Sequence, residues 1–184
     1  MYFEKNGKQN TDKALEIAFT EAKARGIEHL VVASTWGETA LKVSEMIKSY
    51  PGIKAVIVTH NTGFKTPGVQ EFDAETRKRI EGEGIAVLSA TMPTRTIGRA
   101  IKDKLGFSQE DICCASWRMF GEGTKVCVEI AGMACDAGLV PPVDIICVAG
   151  SGRGSDTVIL LNARSSHEIF SIKIREILAK PSDW

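Results

Sequence analysis

Short apolar runs alternate with longer amphipathic stretches along this chain. Residues 29–33 (HLVVA), 54–59 (KAVIVT), 85–89 (IAVLS), 143–149 (VDIICVA) and 157–162 (TVILLN) are brief and mostly rich in Val, Ile and Leu. They predict five strands. Between them, apolar positions three and four apart predict helices over 11–25, 39–50, 73–82, 94–105, 108–120 and 122–137. Gly26, Pro51-Gly52, Gly106, Gly121 and Gly138 punctuate these helices, and Asp73 is placed to cap the third. Residues 172–179 fit a strand or a helix, with strand preferred, and residues 1–10 are polar with no element assigned.

Strands that alternate with helices build a mainly parallel sheet with helices on both faces. The expectation is one α/β domain over residues 1–184, a three-layer α/β/α sandwich. The fifth strand follows the fourth after a short glycine-rich loop. A parallel return needs a dozen or more connecting residues, so this pair is expected to be antiparallel.

Lys plus Arg equals Asp plus Glu at 23 each. With no global basic field, nucleic acid and anionic membranes are not expected partners, and any anion site must be local. No apolar run approaches the ~18 residues of a membrane span, and the first ten residues lack the apolar core of a secretory signal. Five cysteines, with no C-x-x-C pair, predict reduced thiols in a cytoplasmic protein and no metal site.

In an open α/β sheet, ligands bind beyond the carboxyl ends of the strands. Three loops leave such ends. The first is S-T-W-G-E-T, where Ser34, Thr35 and Thr39 offer hydroxyls and Gly37 permits close backbone approach. The following helix N-terminus makes this a phosphate cup, unless Thr35 or Thr39 simply caps the helix. Glu38 repels a phosphate unless it points away. Trp36 either stacks on a flat heterocycle or packs under the loop.

The second loop, G-S-G-R-G-S-D, runs through Gly150, Ser151, Gly152, Arg153, Gly154, Ser155 and Asp156. Its glycines expose N–H groups and Arg153 offers a bidentate partner to an anion; a ligand-free glycine hairpin is the alternative. The third is long, with His60, Asn61, Thr62, Gly63, Phe64 and Lys65 at its start. Lys65 can meet a phosphate and Phe64 can cover a ring, or the loop is merely solvated. Arg95, after the third strand, reads equally as a ligand contact or a surface charge. His60 is the one histidine placed for acid–base work, with a satisfied loop histidine as the preferred alternative. No catalytic set is visible.

Residues 29–61, HLVVASTWGETALKVSEMIKSYPGIKAVIVTHN, resemble the first β-α-β unit of the pyruvate kinase C-terminal domain. There a strand enters a T-x-S-G-[RK]-[ST]-A loop, then a helix, then a strand ending in V-T-x-N. Residues 154–158 resemble that domain's final G-S-T-N-T segment. Ser34, Gly37, Thr39 and Ala40 match the phosphate loop, while Trp36 stands for the family's serine and Glu38 for its basic residue. The whole chain is similar to a family of stand-alone, largely archaeal proteins of this fold, functionally uncharacterised and associated with flavin mononucleotide (FMN).

That resemblance implies a mixed five-stranded sheet of order 3-2-1-4-5 with strand 5 antiparallel. It implies FMN as cofactor, its phosphate held by the loops after strands 1 and 4. It does not imply pyruvate kinase activity, whose active site lies in other domains. Three readings stand in descending order: an FMN-binding protein of unknown role, with a flavin-dependent oxidoreductase as one form of it; a non-catalytic sensor of a phosphorylated metabolite; and a hydrolase or phosphatase using His60 and Arg153. Self-association through residues 112–137 is the expected route to a homo-oligomer, unless that stretch is buried in the monomer.

Overall fold

The computed structural model describes residues 1–184, apart from the side chain of Thr96. The strands are β1 (Tyr2–Lys5), β2 (His29–Ala33), β3 (Lys54–Thr59), β4 (Ala86–Ser89), β5 (Asp144–Ala149), β6 (Thr157–Asn162) and β7 (Lys173–Asp183). The helices are α1 (Thr11–Arg25), α2 (Glu38–Ile47), α3 (Ala74–Gly82), α4 (Thr96–Leu105), α5 (Gln109–Arg118) and α6 (Glu122–Asp136).

Successive strand residues face opposite sides of a sheet, and this separates the core into two layers. Leu30, Val32, Ile57, Ile146 and Val148 pack on one face against Leu15, Ala18 and Phe19 of α1, Val43 of α2 and Ile80 of α3. Val31, Val58, Ile145, Cys147 and Ile159 pack on the other against Cys127, Ile130, Met133 and Ala134 of α6. Because both faces are covered, the central strands read as nearly unbroken apolar runs.

The sheet has seven strands in the order β1-β7-β6-β5-β2-β3-β4. The expected count of five is corrected, and the order of the whole sheet differs accordingly. From the other edge, β4-β3-β2-β5-β6 occupy five adjacent places, and β7 and β1 continue beyond β6. β2 pairs in parallel with both β3 and β5, while β5–β6 and β6–β7 are antiparallel. β1 escaped the sequence pattern because Phe3 is its one buried residue. It gains its partner from β7, at the far end of the chain. β7 carries exposed residues over its first half and meets β6 through two register shifts. Such bulges break the period of two that would mark it as a strand.

Helix ends follow local chemistry. The Asp73 carboxylate accepts from the Thr76 N–H at 2.8 Å and caps α3. Ser108 lies outside α5 and caps it, accepting from the Asp111 N–H at 3.2 Å. α6 is apolar through most of its length and buried in the monomer, which accounts for most of the apolar stretch over 112–137. Within that stretch Ile112 on α5 and Met119 and Phe120 after it are exposed, as are Ile97 and Leu105 on α4 and Phe107 after it. No helix among the described residues is long and apolar enough to cross a membrane.

α6 approaches β6 so closely that a Cβ on Gly123 would fall far inside van der Waals contact with Thr157 Oγ1 and Cβ. At Gly132, in the same helix, the nearest atom to such a Cβ is Ser166 Cα at 3.6 Å, an ordinary contact. Gly123→Ala is therefore expected to lower unfolding free energy by about 1–3 kcal/mol, despite the better helix propensity of alanine. Gly132→Ala is expected to be neutral or stabilising by up to about 1 kcal/mol. Urea unfolding of the two variants side by side checks the contrast.

Candidate functional site

A cleft of about 310 Å³ opens at the carboxyl ends of β2, β3 and β5. From β2 the chain moves toward β3 on one side, and from β5 it turns to β6 on the other. This divergence is the switch point where open α/β sheets form a crevice.

The turn after β2 is held from within. The Ser34 N–H donates to the Val58 carbonyl at 2.9 Å, and Ser34 Oγ accepts from the Ala40 N–H at 3.2 Å. Gly37 takes φ 95° at the N-cap, where a Cβ would also stand 2.8 Å from Thr76 Cγ2. The N-cap residue is Gly37, and the side chain that accepts from the first turn of α2 is that of Ser34, so neither Thr35 nor Thr39 serves that purpose. Among the described residues, the backbone N–H groups of Gly37, Glu38 and Thr39 meet no protein acceptor. Unpaired amides at a helix start carry partial positive charge suited to an anion.

The turn after β5 is built around the buried carboxylate of Asp156. Its oxygens accept from the N–H of Gly7 (3.0 Å) and of Ser151 (3.2 Å), and from the hydroxyl of Thr157 (2.9 Å). The Ser155 N–H donates to Thr11 Oγ1 at 3.0 Å. Gly154 sits against the N-terminal segment, where a Cβ would meet Lys8 Cα and Thr11 Oγ1 at 2.5 Å each. These contacts leave Gly152, Arg153 and Gly154 with backbone N–H groups that meet no protein acceptor among the described residues.

Glu38 joins the two turns. One oxygen receives Arg153 Nη2 at 3.1 Å and the other Lys8 Nζ at 2.9 Å. The hydrogen bond from Lys8, its charge and that of Arg153 hold the Glu38 carboxyl below the usual range. Two cations thus answer the carboxylate that looked unfavourable beside a phosphate.

The third wall is aromatic. The rings of His60 and Phe64 lie 3.8 Å apart at 33°, and the Arg95 guanidinium lies 4.0 Å over Phe64. Thr35 Oγ1 stands 3.5 Å from His60 Nε2, while His60 Nδ1 is buried without a partner. Burial pushes the His60 pKa down, and the charges of Arg95 and Lys65 act in the same direction. Trp36 is 43% exposed, with the Lys65 ammonium 4.6 Å over its ring. Among the described residues, Arg95 is the lining cation with no carboxylate in salt-bridge range.

Of the residues singled out from sequence, Ser34, Thr35, Trp36, Glu38, Thr39, His60, Phe64, Gly150, Gly152, Arg153 and Gly154 line the cleft. Gly37 shapes the first turn, and Ser151, Ser155 and Asp156 shape the second. Asn61 and Gly63 line a separate hollow that shares Phe64 and Arg95 with the cleft. Thr62 and Lys65 line neither.

The fourth wall was not anticipated. Glu122, Lys125, Val126, Glu129, Ile130 and Met133 recur at helical spacing on one face of α6, and Arg118 of α5 completes it. Arg118 pairs with Glu122 at 2.9 Å, and Lys125 pairs with Glu129. The signal was present: two charges at i and i+4 on the buried side of an apolar helix. No protein-family model matches the chain.

A histidine whose folded pKa lies below its unfolded value binds fewer protons folded than unfolded. Stability therefore rises with pH through the window between the lowered pKa and about 6.5, then levels off. The His60 imidazole is expected to titrate below 6.5 by NMR, and His60→Gln to lose its share of the destabilisation on moving from about pH 7.5 to about pH 5. An anion bound beside His60 should move that titration upward.

Proposed function

We propose that this chain is an FMN-binding protein resembling the pyruvate kinase C-terminal domain. The phosphate sits on the amides of the turns after β2 and β5, and the ring lies toward His60, Phe64 and Trp36. One observation carries the reading. Two turns with unpaired N–H groups, joined through Arg153 and Glu38, open into one cleft with an aromatic wall and an Arg95 that, among the described residues, has no carboxylate in salt-bridge range. The donor set suits a phosphate, and the aromatic wall suits a flat ring.

FMN, when bound, supplies redox chemistry of its own. The chain's residues bind and orient it: amides and Arg95 balance the phosphate, and aromatic faces cover the ring. Thr35 Oγ1 and His60 Nε2 stand 3.5 Å apart, beyond the usual reach of a nucleophile–base pair, so hydrolysis is not part of the proposal. A second reading is favoured by the α6 wall, whose paired charges offer donors and acceptors to hydroxyl groups. On that reading the chain is a non-catalytic sensor of a sugar phosphate.

The absorption spectrum of freshly purified protein and an FMN titration test the first reading. FMN at ~100 times its dissociation constant should stabilise the fold by about 2.7 kcal/mol. Loss of a charge-assisted contact in Arg95→Gln should weaken FMN binding roughly tenfold. Stabilisation by sugar phosphates with none by FMN would move the conclusion to the sensor.

A further inference from the structure

Lys125 and Glu129 are 6% and 2% exposed, and both line the cleft. One Glu129 oxygen takes the Lys125 ammonium and the other takes the Thr94 hydroxyl, which in turn accepts the Cys114 thiol at 3.1 Å. An ammonium has three protons to donate. One goes to Glu129, and among the described residues no other protein acceptor takes the remaining two. At a cavity wall those two protons are placed to meet a ligand oxygen.

The partner's charge can be inferred. Glu129 already balances Lys125, so a second anion there would be in excess, whereas a neutral oxygen completes the donor set. Arg95 differs, because it has no carboxylate and suits the charged end of a ligand. Resting on the reading of the cleft as a phosphate-ligand site, we propose that Lys125 is a specificity-determining binding residue for the ligand's uncharged part. It donates to a ring carbonyl or a chain hydroxyl, while Glu129, held by Thr94, fixes the ammonium and balances its charge. The ligand class is a phosphate ester whose body carries such neutral oxygens, and FMN has both kinds.

Removing Lys125 alone strands a buried carboxylate, so the test uses Lys125→Met/Glu129→Gln, with its fold checked by circular dichroism and thermal melting. Calorimetry then compares FMN, lumiflavin (ring carbonyls, no hydroxyl chain), ribitol phosphate (hydroxyls, no ring) and inorganic phosphate. FMN affinity should fall roughly tenfold or more, while inorganic phosphate stays within about twofold of wild type. Whichever of lumiflavin and ribitol phosphate weakens identifies the oxygen.

Unchanged affinity for all three organic probes overturns the proposal, as does an equal loss for inorganic phosphate. Wild-type protein that holds lumiflavin through Lys125 as tightly as FMN, but ignores ribitol phosphate and inorganic phosphate, sinks the phosphate reading and leaves this one standing. Wild-type protein that takes none of the probes overturns both.

Discussion

The Asp156 carboxylate is the contact on which the candidate site depends. It is fully buried at the start of β6, where a charged group needs its lone pairs filled. It fills them with donors from three places: Gly7 near the N-terminus, Ser151 in the glycine loop, and Thr157 beside it. Those bonds give the loop after β5 its shape. They also draw the N-terminal segment across it, bringing Lys8 to Glu38 and so to the turn after β2. An internal polar network thus leaves a different set of N–H groups, most of them on residues that line the cleft, without protein acceptors among the described residues.

The cleft's charge pattern follows from pairing. Arg153, Arg118 and Lys125 each have a carboxylate, and Arg95 has a ring beneath it instead. Burial pushes the Arg95 pKa down, and a guanidinium in a protein keeps its charge. A buried ion pair such as Lys125–Glu129 contributes little net stability, because desolvation offsets much of the attraction. Apolar residues of similar volume often replace such a pair at no cost in stability, in line with the recognition role proposed for it. The sheet face beneath α6 is otherwise apolar, and burial raises the Cys127 and Cys147 thiols well above their ordinary range. These two cysteines act as small hydrophobes.

How much was legible in advance differs between fold and site, element by element. β2, β3, β5 and β6 announced themselves because strands covered on both faces are nearly continuous apolar runs. The antiparallel turn from β5 to β6 followed from loop length alone. β1 and β7 gave weak signals, since the edge strand β1 buries one side chain, β7 is exposed over its first half although β1 and β6 flank it, and their pairing joins residues 2–5 to residues 180–183. The turns after β2 and β5 were recognisable from glycine and hydroxyl content, but the purpose of individual residues was not. Asp156 and Ser155 looked ligand-directed and instead shape the loop, and Glu38 looked repulsive and instead joins the two turns.

The sequence by itself determined which segments become central strands and helices, and which loops leave strand carboxyl ends. Those properties depend on near neighbours, through periodicity of two or 3.6 and the conformational range of glycine. Only the tertiary structure decided that the N-terminal segment clasps the glycine loop, that Arg153 meets Glu38, and that α6 turns Lys125 and Glu129 into the cleft. Each joins groups far apart in the chain or selects one helix face among several. The physical reason is the same throughout: a buried polar group takes whatever partner the packed fold brings within reach, and spacing along a chain does not encode that distance.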